Sequence, residues 1–71
     1  MTGVDDIEVG PDGIRLGQLL KLANVAETGG AVKELLADGQ VSVNGTVETR
    51  RGAQLALGDV VSAPGAELRL V

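Results

Sequence analysis

The sequence predicts an α+β fold in which two short packed helices are followed by a small twisted antiparallel or mixed sheet. Three observations carry this expectation. Apolar residues recur at helical spacing over Leu16–Ala23 and again over Ala31–Leu36. From Gln40 the apolar period changes to two, broken by the turn pairs Asn44-Gly45, Gly58-Asp59 and Pro64-Gly65. The chain has 71 residues with no Cys, no His and no aromatic residue, so one domain must form around Leu, Val, Ile and Ala alone. A chain of this size buries only ~60% of the surface its unfolded form exposes, so its elements must share one core.

The first twelve residues differ from the rest. Residues 1–5 read as a loose tail. Asp6-Ile7-Glu8-Val9 alternates polar and apolar residues, a weak strand signal, and Gly10-Pro11-Asp12-Gly13 is a turn cluster. The chain therefore divides into an acidic leading segment over residues 1–12, with room for one short strand, and a domain over residues 13–71.

The first helix is expected from Leu16 to Ala23. At about 100° per residue, Leu16, Leu19, Leu20, Leu22 and Ala23 share one broad face, and Gly17, Gln18 and Lys21 the other. Asn24 suits the helix end. The second helix is expected from Gly29 or Gly30 to Asp38. The hydroxyl of Thr28 can cap its free N–H groups, although Ala31 stands where a capping box would need Glu or Gln. Ala31, Val32, Leu35 and Leu36 form its apolar face, and Gly39 can leave it in the left-handed conformation. Both helices are shorter than the ~12–15 residues at which isolated helices become marginal, so they must pack.

Val41 to Glu48 reads as a hairpin around Asn44-Gly45. A two-residue loop places Val43 opposite Thr46. A three-residue loop places it opposite Val47 and gathers Val41, Val43 and Val47 on one face; apolar patterning favours this second register. Leu55-Ala56-Leu57 leads to the Gly58-Asp59 turn. Two more strands, Val60 to Ala63 and Glu67 to Val71, are joined by Pro64-Gly65.

The missing residue types exclude function classes. Without Cys or His there is no zinc knuckle, Cys nucleophile or Ser-His-Asp triad. Without aromatics no base can stack on a ring, the usual basis of single-strand reading. No apolar run approaches the ~20 residues of a membrane span. The acidic N-terminus has no apolar signal core, so a cytoplasmic location is expected. No pair of side chains stands at a spacing that demands acid–base work, so neither catalysis, nor a cofactor, nor a metal, nor a small-molecule substrate is expected.

The net charge of -4 is unevenly spread. Asp5, Asp6, Glu8 and Asp12 supply four of the ten acids, whereas Gly13 to Val71 holds six bases and six acids. Of the bases, Arg15 precedes the first helix, Lys21 lies on its polar face, Lys33 lies on the second helix, Arg50 and Arg51 follow the hairpin, and Arg69 sits in the last strand. One reading makes them solvated surface residues. The other makes the helices and hairpin exit one basic surface for phosphates, a use suited to the bidentate fork of an Arg pair. Gly29-Gly30 has two readings as well: a tight interhelical turn, or bare backbone that lets a phosphate approach a helix N-terminus. Asn44-Gly45 and Asp59 read as turn chemistry.

The stretches IRLGQLLKLANV, TGGAVKELLADGQVSVNG and LALGDVVS, within Ile14–Ser62, resemble the S4-type RNA-binding domain. The helix ending in Gly39, followed by Val-x-Val-Asn-Gly, is the most specific part. Gly29-Gly30-Ala31-Val32-Lys33 and Glu48-Thr49-Arg50-Arg51 look closest to the small stand-alone bacterial S4 proteins. The resemblance implies an αα-β module, the αL RNA-binding motif, that presents a basic surface to structured RNA, ribosomal or transfer RNA, with the ribosome as a further partner. It implies contacts by Arg15, Lys21, Lys33, Arg50 and Arg51, with Gly29 and Gly30 admitting the backbone, in a monomer with no membrane partner. The sequence departs from the family at Gly29, where many S4 domains carry Arg, and at Gly17, where an aspartate is frequent. Ala53 and Gln54 follow the Arg pair where close relatives tend to have bases, and Glu34 and Asp38 add acid to the second helix. These departures motivate an alternative: a protein-interaction adaptor that keeps the fold with weak or lost RNA binding.

Overall fold

The computed structural model describes residues 3–71; Met1 and Thr2, part of the expected tail, lie outside the described residues. The elements in chain order are β1 (Asp5–Ile7), β2 (Ile14–Arg15), α1 (Leu16–Leu22), α2 (Gly29–Ala37), β3 (Ser42–Val43), β4 (Thr46–Val47), β5 (Gln54–Leu55), β6 (Val60–Ala63) and β7 (Ala66–Leu70). They form the expected α+β arrangement. One sheet has the order β1-β7-β6-β3-β4, and β2 pairs with β5 in a second, two-stranded sheet. The large sheet is mixed: β1 runs parallel to β7, and the other neighbours are antiparallel.

The helices cover the sheet with aliphatic side chains. Leu16, Leu19 and Leu20 of α1 and Val32 and Leu36 of α2 are buried with Val41, Val61, Leu68 and Leu70 from the sheet side. In β7 the alternation is clean, with Leu68 and Leu70 inward and Glu67 and Arg69 outward. Among the described residues no polar or charged side chain is buried, so the core is wholly apolar. The expected cap of α2 forms: Thr28 Oγ1 accepts from the Ala31 N–H at 3.0 Å. Gly39 leaves the helix with φ +70°, as expected of an αL exit.

Two expectations need correction. Leu22 is 58% exposed. It lies about 110° around the helix from the middle of the buried Leu16–Leu19–Leu20 stripe, too far for the sheet or α2 to cover it. The hairpin has the two-residue loop, with Ser42 opposite Val47 and Val43 opposite Thr46. Asn44 and Gly45 have φ of 52° and 86°, the two positive values a tight hairpin turn requires. The Asn44 amide secures the turn, since its Nδ2 donates to Asp59 Oδ1 and its Oδ1 accepts from the Val60 N–H. Turn chemistry thus outweighs burial of Val47, which is left 55% exposed. The pairing of Ile14–Arg15 with Gln54–Leu55 goes beyond anything the local pattern indicates.

Candidate nucleic-acid interface

Arg15 closes β2 and enters α1, and at that end α1 is fastened to the segment that follows the hairpin. The Arg15 N–H donates to Gln18 Oε1 at 3.2 Å. The Leu16 N–H donates to the Ala53 carbonyl at 2.9 Å, and the Gly17 N–H to the Arg51 carbonyl at 2.8 Å. Donors that every helix start leaves free are thereby used to bring residues 51–53 alongside α1. The Arg15 side chain reaches across the same junction, its Nη1 donating to the Gly52 carbonyl at 2.9 Å.

This junction frames a hollow of about 270 Å³ lined by Arg15, Gly17, Gln18, Lys21, Gly29, Val32, Arg51 and Gly52. A second hollow, of about 500 Å³, is lined by Lys33, Leu36, Ala37, Thr49 and Arg51. Arg51 belongs to both. On α2, Gly29 lines the first and Lys33 the second, one helical turn or about 6 Å further along the axis. The start of α2 is open: Thr28 takes up the N–H groups of Ala31 and Val32, while those of Gly29 and Gly30 have no protein partner among the described residues. A Cβ built on Gly29 would meet nothing within 4 Å.

Ion pairing sorts the bases. Among the described residues, Arg50 pairs with Glu48 at 3.1 Å and Arg69 with Asp6 at 3.0 Å, while Arg15, Lys21, Lys33 and Arg51 have no carboxylate partner. The Glu48–Arg50 pair is bidentate, with Nε on Oε2 and Nη2 on Oε1, both at 3.1 Å. The Arg50 side chain, followed by the Arg50 N–H, holds the Glu48 carboxyl down at about 2, and Glu48 in turn raises Arg50.

The structure therefore brings Arg15, Lys21, Gly29 and Arg51 together and places Lys33 in the adjoining hollow. Arg50 and Gly30 line neither of these two. Gln18, Thr49, Gly52, Gly17 and Glu48 help to build the site and are missed by the sequence reading. A glycine inside a helical pattern was the available signal for Gly17, since it marks a close approach of another backbone.

The two acids of β1, Asp5 and Asp6, lie elsewhere. The sheet order puts β1 and β4 on opposite edges, and the chain leaves β4 directly toward Arg50 and Arg51. A third hollow, of about 420 Å³, lies at the β1 edge and carries Asp5 and Glu67 but no base. Among the described residues no helix is long and apolar enough to cross a membrane, and no group of three or more acidic side chains is placed to hold a metal ion.

Comparison with known proteins gives the geometry a context. The family model for the S4 domain matches residues 7–71. The chain is 44% identical over 59 residues to the "Probable ribosome maturation protein RlbA" of Bacillus subtilis (strain 168), which covers 83% of each chain. It is 40% identical over 58 residues to the "Putative RNA-binding protein YbcJ" of Escherichia coli (strain K12), covering 82% of this chain and 83% of the relative. The solution structure of YbcJ from E. coli superposes with a TM-score of 0.74 at 35% identity, over 100% of this chain and 91% of that one. That structure is described as revealing an ALFAL motif involved in RNA-binding.

Proposed function

Because the chain belongs to the S4 domain family, we propose that it is a non-catalytic RNA-binding module that grips the phosphate backbone of structured RNA. The carrying observation is that the four bases without a carboxylate partner, Arg15, Lys21, Lys33 and Arg51, line two hollows that share Arg51. Cations on fixed backbone suit phosphate oxygens, and Arg15 and Arg51 can offer a planar fork. Gly29 and Gly30 add free N–H groups and leave room for a ribose-phosphate chain. Arg50 stands beside them with its charge shared with Glu48. The absence of aromatic residues favours reading by phosphate and shape over base stacking, as suits helical or folded RNA. On this reading the protein acts as a monomer in the cytoplasm on ribosomal or transfer RNA, free or within the ribosome. The names of both relatives, one for ribosome maturation and one for RNA binding, are in keeping with it.

Filter binding to total ribosomal RNA and to unfractionated transfer RNA tests the proposal. The triple variant Arg15→Gln, Lys21→Gln, Arg51→Gln is expected to lose at least about tenfold in affinity. Arg69→Gln, which removes a base at the β1–β7 edge, is expected to stay within about twofold of the parent. Equal losses in the two variants contradict the assignment.

A further inference from the structure

We propose that Glu48 is a positioning residue that gives the adjacent arginines different work: it keeps Arg50 as its own counterion and folds the turn that delivers Arg51 to RNA. The inference rests on the RNA-binding reading above and concerns how the same surface is built.

An acid next to a phosphate-binding surface is at first sight a defect, since it repels the ligand. The geometry gives it a use. Glu48 is anchored by its own N–H, which donates to the Val41 carbonyl at 3.0 Å. Its Oε2 accepts from the N–H groups of Thr49 and Arg50, both at 3.0 Å, and from Arg50 Nε at 3.1 Å. Its Oε1 accepts from Arg50 Nη2. One carboxylate thus fixes two successive backbone donors and the guanidinium that follows. The Glu48 side chain is only 20% exposed and that of Arg50 is 77% exposed, so the carboxylate lies beneath and the guanidinium above it. The next residue continues the restraint, because the Arg51 carbonyl accepts from Gly17 and the Ala53 N–H closes onto the Arg50 carbonyl. Arg51 is thereby held on both sides, has no carboxylate of its own among the described residues, and stands between the two hollows. The Arg50 guanidinium also holds the Glu48 carboxyl well below the usual carboxylate range, so the pair is charged near neutral pH.

Binding of the full chain to unfractionated transfer RNA over a salt series tests this. Arg51→Gln is expected to reduce the magnitude of the slope of log K against log salt by roughly 1, as loss of one phosphate contact requires. Arg50→Gln is expected to change it by less than about 0.3. Glu48→Ala removes an acid, yet affinity is expected to fall by at least about fivefold, with the slope reduced as in Arg51→Gln. Tighter binding by Glu48→Ala overturns the proposal, as does a slope reduced equally by Arg50→Gln and Arg51→Gln. If Glu48→Ala does not fold, the arginine comparison still overturns the proposal when the two slopes fall equally. A parent chain whose binding is insensitive to salt removes the RNA reading, and this inference with it; a salt-sensitive parent with tighter-binding Glu48→Ala removes this inference alone.

Discussion

Gly17 and Arg51 meet backbone to backbone: the Gly17 N–H donates to the Arg51 carbonyl at 2.8 Å, and a Cβ on residue 17 would lie 3.3 Å from both that oxygen and the Arg51 Cβ. The contact joins the first turn of α1 to the loop that carries the arginine common to both hollows. It gives a physical reason for a glycine in the first turn of a helix, where alanine is intrinsically the better helix former.

Gly17→Ala separates stability from binding. The added methyl favours the helix but forces the Arg51 loop back by a few tenths of an ångström. Stability in urea is expected to stay within about 1 kcal/mol of the parent, because the two effects oppose. RNA affinity is expected to fall severalfold. A variant that binds as the parent does shows that the position of the loop is unimportant.

Leu36 is 2% exposed and Leu35 only half-buried, although the helical period places both on the apolar side. Leu36→Ala is expected to cost ~2–5 kcal/mol, enough to unfold a domain of this size, and Leu35→Ala less than about 2 kcal/mol. Urea titration of both variants checks the order; a larger loss for Leu35→Ala means that the helix is turned differently on the sheet.

Much of the fold was legible because it is written locally. The helical spacing of α1 and α2, the Thr28 cap, the Gly39 exit and the strands around Pro64-Gly65 each depend on residues a few positions apart. What was not legible depends on distant partners. The β2 and β5 strands have two residues each, and Ile14 finds Leu55 across most of the domain. Apolar alternation favours the other hairpin register, but turn geometry decides it, because Asn44 is secured by Asp59 and Val60, which lie far along the chain. The same holds for the site. The bases were visible as residue types, but their sorting into free and paired depends on where Glu48 and Asp6 reach.

Glu48 also sets a pH dependence. Its carboxyl is lowered from 4.5 to about 2 by the Arg50 side chain first and the Arg50 N–H next. A carboxylate lowered in the folded state contributes its stabilisation fully above the ordinary value and loses it as pH falls through the folded one. The stabilisation that Glu48 gives the loop over Thr49–Arg50 is therefore expected to be full above pH 4.5 and to be lost progressively as pH falls to about 2. NMR titration of the Glu48 carboxyl carbon checks this, with a midpoint near 2 expected; a midpoint near 4.5 shows that the Arg50 clasp does not form in solution.

On the proposed reading, a chain of net charge -4 holds RNA through four bases, Arg15, Lys21, Lys33 and Arg51, that have no carboxylate partner among the described residues. The most direct measurement is the dependence of its binding to ribosomal RNA on salt. Neutralisation of about four phosphates gives a slope of log K against log salt of roughly -3. A flat response, or binding that persists unchanged when Arg15, Lys21, Lys33 and Arg51 are all replaced by Gln, contradicts it.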